Sequence, residues 1–101
     1  MKIEIEKNED RTRITPEENI GVTNAESIKK KFLELIEEGS REIILDFRRV
    51  KNIDSSGLGK ILLFQKMLRE KGGTLTIENV NSDYLQKIFD MVQLEDLIKI
   101  R

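Results

Sequence analysis

Residues 43–47, Ile43-Ile44-Leu45-Asp46-Phe47, are the most hydrophobic run of the chain, and together with the thirty residues after them they leave few folds open. Such a run reads as a strand at the centre of a sheet, with both faces covered. A short polar connection, residues 48–52, leads into Asp54-Ser55-Ser56-Gly57-Leu58-Gly59 and then into a stretch of helical composition ending near Arg69. Lys71-Gly72-Gly73 stops that helix, and residues 74–77 are β-rich again. Strand, helix and strand in this order form a parallel crossover unit, which lays its helix against the sheet.

The flanks extend the same alternation. Ile3 and Ile5 alternate with polar residues, the period of a half-buried strand; Asn8-Glu9-Asp10 signals a turn, and residues 11–14 a return strand. Thr23-Asn24-Ala25-Glu26 has capping-box spacing, with Thr23 as the expected cap. Behind it Ile28, Phe32, Leu35 and Ile36 form one apolar stripe on a helix that Gly39 ends. Asn81-Ser82-Asp83 caps a third helix, and Leu97, Ile98 and Ile100 offer a last strand. The expected class is α/β: one domain over residues 1–101, a mixed β-sheet with helices packed against it, in the order β-β-α-β-α-β-α-β.

Composition excludes more than it suggests. The chain has neither Cys nor His, so thiolate and imidazole nucleophiles and the usual zinc ligand sets are unavailable. No catalytic or metal-binding residues are expected, no cofactor is called for, and the reading is a non-enzyme. A net charge of −1 with dispersed Lys and Arg argues against a nucleic-acid surface. No apolar run reaches the roughly 18 residues of a membrane span, and residues 1–4 do not begin a signal peptide, so a cytoplasmic protein is expected.

The serines stand where the central helix begins. A helix start carries unsatisfied N–H groups and a partial positive charge, so a serine there can cap the helix or carry a phosphate. Further along, a helical projection from Leu58 puts Leu58, Ile61, Leu62, Gln65 and Leu68 on the buried arc. Leu63, Phe64 and Met67 fall outside it, as an exposed apolar interface or as the wider girth of a wedged helix.

The path through residues 43–47, Val50 and Ile53-Asp54-Ser55-Ser56-Gly57-Leu58-Gly59 resembles the signature of the STAS-domain anti-sigma factor antagonists. The spacing to Lys71-Gly72-Gly73-Thr74-Leu75 resembles it too, as do Ile88-Phe89-Asp90-Met91, Leu94 and Leu97-Ile98. That resemblance implies a regulator. Its unphosphorylated form binds an anti-sigma factor serine kinase and frees a sigma factor. Phosphorylation releases the kinase, and a serine phosphatase resets the cycle.

By position the implied acceptor is Ser55, with Ser56 second. Asp54, Ser56, Gly57, Leu58 and Gly59 complete the motif and the partner contact. One departure is Gly21, where many family members carry an aspartate. Self-association is a further expectation, and an unphosphorylated STAS scaffold or subunit of a signalling or transport assembly is the competing one. Nucleotide binding has little support, because no complete Walker A sequence occurs and Gly57-Leu58-Gly59 alone is a weak signal.

Overall fold

The computed structural model describes residues 1–101. Two strands, β1 (Ile3–Lys7) and β2 (Thr12–Pro16), form an antiparallel hairpin. Helix α1 (Ala25–Glu37) leads to β3 (Glu42–Asp46), α2 (Ser55–Glu70) to β4 (Thr74–Glu78), and α3 (Asp83–Met91) to β5 (Lys99–Ile100). The sheet has five strands in sequence order, parallel from β2 onward. This is the expected mixed α/β architecture, with β3 in the middle. A 3-10 turn (Leu94–Asp96) precedes β5, which is only two residues long.

Strand alternation separates two unlike faces. On one, the register aligns Ile5, Ile14, Leu45, Ile77 and Ile100. Ile14, Leu45 and Ile77 join Ile28 and Phe32 of α1, Ile61, Phe64 and Leu68 of α2, and Leu85 and Phe89 of α3 in one buried cluster. Phe32 and Phe64 stack with ring centroids 4.2 Å apart and planes 12° off parallel, pinning α1 to α2.

The opposite face aligns Glu6, Arg13, Ile44, Thr76 and Lys99, and carries no helix residue from that cluster. β3 is covered on both sides as expected, but ionic side chains make the second cover. Asp46 is fully buried there. Its Oδ2 accepts from Arg13 Nη1 at 2.9 Å and from Arg48 Nε at 2.9 Å. Its Oδ1 accepts from the Arg48 amide and from Asn79 Nδ2, both at 3.0 Å. Arg13 also reaches Glu78 at 2.9 Å. Burial pushes the Asp46 carboxyl up, but the hydrogen bonds and charge of Arg48, with help from Asn79, outweigh it and hold the group far below the usual carboxylate range.

One of the two expectations about helix ends needs correction. Asn24, not Thr23, is the N-cap of α1, and it makes no side-chain cap bond. Its Oδ1 instead accepts from the Gly21 amide at 2.8 Å, closing the preceding turn, while Glu26 is held by Lys60 of α2 at 2.7 Å. Ser82 does cap α3: its Oγ accepts from the Leu85 amide at 3.3 Å and donates to the Lys51 carbonyl at 2.9 Å.

Candidate functional site

Two loops at the carboxyl ends of β2 and β3 are fastened together to make the platform for the serines. Ile20 and Ile53 form an isolated parallel bridge. Around it the Ile20 amide donates to the Asn52 carbonyl at 3.3 Å, and the Asp54 amide to the Ile20 carbonyl at 3.2 Å. Asn19 Oδ1 accepts from the amides of Lys51 and Asn52 at 2.8 and 3.0 Å. Gly57 sits within this seam. A Cβ there would lie 2.6 Å from Ile53 Cγ1 and 2.8 Å from both Ile20 Cγ2 and the Ile20 carbonyl oxygen, so only glycine lets the loops close.

Asp54 does the capping that the sequence left open to the serines. It is the N-cap of α2, and its Oδ1 accepts from the Gly57 amide at 3.0 Å. Its Oδ2 accepts from the Val22 amide at 3.0 Å, so one carboxylate ties the helix start to the neighbouring loop. These bonds, Gly57 first and then Val22, hold the Asp54 carboxyl below the usual carboxylate range. Gly21 takes its meaning from the same group: a Cβ at position 21 would stand 2.7 Å from Asp54 Oδ2. The departure at Gly21 therefore fits the present position of Asp54.

Ser55 is the first residue of α2 and Ser56 the second; both are exposed, and neither hydroxyl is used to cap the helix. The structure thus brings Asp54, Ser55, Ser56, Gly57 and Leu58 together at one helix mouth, with Gly59 exposed on the next turn. It also alters the expected electrostatics. A phosphate on Ser55 would not meet an empty helix end, because the Asp54 carboxylate already holds the Gly57 donor. Two anions would share one dipole.

The remaining site expectations divide. Phe64, expected outside the buried arc, is 1% exposed and stacked on Phe32, so it belongs to the core and not to an interface. Leu62, expected inside, is 38% exposed. A projection anchored on Leu58 is rotated from the true one, because Leu58 is only half-buried, whereas Gly57, Ile61, Phe64 and Leu68 mark the inner face. Leu63 and Met67 are half-buried, and Met67 packs against the core edge. Gln65 has a specific reason for its place: Nε2 donates to the Leu97 carbonyl at 2.7 Å, joining α2 to the segment before β5. Sequence reasoning passes over Val22, 74% exposed and bonded through its amide to Asp54; no periodic signal marks a single apolar residue in a loop.

Comparison with known proteins matches this arrangement. The family model described as STAS domain covers residues 2–101. The anti-sigma-B factor antagonist of Bacillus subtilis (strain 168) is 30% identical over 100 residues, spanning 99% of this chain and 90% of the relative. Among solved structures, TM1081 of Thermotoga maritima superposes with a TM-score of 0.90 at 25% identity, over 97% of this chain and 84% of that one. SpoIIAA in its unphosphorylated form shares the fold with a TM-score of 0.76 at 22% identity, over 99% and 87% of the two chains. The phosphorylated form of Bacillus SpoIIAA gives 0.76 at 24%, over 99% and 91%.

Proposed function

The chain belongs to the STAS domain family, and on that premise we propose that it is an anti-sigma factor antagonist whose partner contact is switched by phosphorylation of Ser55. The unphosphorylated domain binds an anti-sigma factor serine kinase and so frees a sigma factor. Phosphoryl transfer to Ser55 ends that contact, and a serine phosphatase restores it. The observation that carries this reading is the division of labour at the start of α2. Asp54 supplies the cap, so the exposed Ser55 hydroxyl has no structural duty at an end of the molecule that cross-bonded loops hold rigid. The Bacillus subtilis relative, matched over almost the whole chain, supports the regulatory role.

The switch acts across the interface. A phosphate adds roughly −1.5 to −2 charges at neutral pH. The core holds no part of Ser55, so the fold survives the modification while a partner seated over Ser55 meets added bulk and charge. In a titration with the source organism's anti-sigma kinase, Ser55→Asp is expected to keep the far-ultraviolet circular dichroism of the parent and lose affinity. Ser55→Ala is expected to bind like the parent. Undiminished affinity of Ser55→Asp would contradict the proposal and favour an unphosphorylated scaffold.

A further inference from the structure

The two edges of the sheet carry the same alternation with opposite charge. The β1 edge reads Ile3-Glu4-Ile5-Glu6, and the β5 edge Ile98-Lys99-Ile100-Arg101. Register puts Ile5 and Ile100 on the helix side of the sheet, and Glu4, Glu6, Lys99 and Arg101 on the open side. Ile3, Ile5 and Ile100 are only half-buried, at the rim of the core. Beside Ile100 lies a recess of about 240 Å³, with Val80 and Phe89 in its wall.

The charges on both edges are largely unmatched within the chain. Lys2 and Lys7, which flank Glu4 and Glu6, are tied to Glu17 and Glu38, whereas Glu4 and Glu6 themselves form no salt bridge. Lys99 forms none either, and Arg101 a long one, to Glu78 at 3.4 Å. Backbone groups are free as well. The Lys2 carbonyl and the Asn8 amide both bond across the hairpin, so alternation turns the N–H and C=O of Ile5 outward. The Arg101 amide donates to the Ile77 carbonyl at 2.9 Å, so those of Ile100 turn outward too.

We propose that these edges join copies of this chain head to tail: β1 of one copy adds to β5 of the next, antiparallel, with Ile5 opposite Ile100. In that register Ile5 and Ile100 exchange both backbone hydrogen bonds, Glu6 faces Lys99 and Glu4 faces Arg101. The isoleucines of β1 cover the recess beside Ile100. Pairing like with like fails on charge. β1 against β1 about Ile5 sets Glu4 against Glu6 twice, and β5 against β5 about Ile100 sets Lys99 against Arg101 twice. The contact is heterologous, so each copy keeps one free edge of each kind and the sheet can extend. No residue of the α2 mouth takes part, and the inference stands independently of Ser55.

Sedimentation equilibrium over about 0.02–1 mM, where a small interface associates, tests this. The parent's average mass is expected to rise with concentration and to fall as salt is raised. The double variants Glu4→Lys/Glu6→Lys and Lys99→Glu/Arg101→Glu each set like charges across the contact, and each is expected to weaken it about tenfold or more. Mixed in equal amounts they restore it, since every basic edge then meets an acidic one. An amide NMR concentration series on the parent is expected to move the Ile5 and Ile100 signals together. A parent that stays monomeric at about 1 mM and low salt would overturn the inference. So would reversed variants that associate as the parent does, or a mixture no heavier than its components. Shifts at Ile5 without Ile100 would overturn it as well, in favour of a symmetric contact. Should a variant lose the parent's circular dichroism, the NMR series on the parent decides alone.

Discussion

At the scale of single residues, the site turns on a carboxylate and a hydroxyl that do different work. Asp54 is fixed by two backbone donors, one in the first turn of α2 and one in the neighbouring loop, and Ser55 beside it is free. An anion close to a carboxylate disfavours its charged form. Glutamate at position 55 is therefore expected to move the Asp54 carboxyl upward, back toward the ordinary range. Carboxyl-carbon NMR titration of the parent and Ser55→Glu measures this. An Asp54 titration identical in both chains would mean that the two groups do not share the helix end.

At the scale of elements, α2 carries both the site and the joint that positions it. Phe64 holds the helix to α1 through its stack on Phe32. Phe64→Ala is expected to cost about 3–5 kcal/mol in a denaturant titration, the range for removing a buried aromatic. An interface residue would cost little stability and much binding instead. The two roles are hard to separate in the sequence because α2 is apolar around much of its girth, and its inner face includes a glycine, Gly57, that no hydrophobic pattern marks. α1 and α3 pose no such problem. Their buried residues, Ile28, Phe32, Leu35 and Ile36 in one and Leu85 and Phe89 in the other, recur at helical spacing. The succession of strands and helices along the chain and the start of α2 are legible for a similar reason, since alternation and turn residues report local geometry. The loop seam is not, because the bonds from Asn19 to residues 51 and 52 and from Val22 to Asp54 join segments far apart in the chain.

Across the whole molecule, one face of the sheet is a hydrocarbon core and the other a charge lattice around Asp46. The folded Asp46 carboxyl titrates below its unfolded value, so the stability it adds is complete above about pH 5 and is lost as pH falls through the acid range. Asp46→Asn is expected to destabilise the domain by about 2–4 kcal/mol at neutral pH and to flatten stability between about pH 5 and pH 2. An unchanged acid profile, measured by urea unfolding at successive pH values, would remove Asp46 as its source. This lattice and the hydrophobic core make the domain a firm base, so a modification at the mouth of α2 is expected to alter what the surface presents and not how the chain folds.

Intact-mass and peptide-mapping analysis after incubation with ATP, Mg²⁺ and the source organism's anti-sigma kinase tests the central claim most directly. The parent chain is expected to gain about 80 Da, one phosphoryl group, on Ser55, and Ser55→Ala to gain nothing. A parent that gains no mass, or a Ser55→Ala chain labelled as fully on Ser56, would contradict the assignment of Ser55 as the switch.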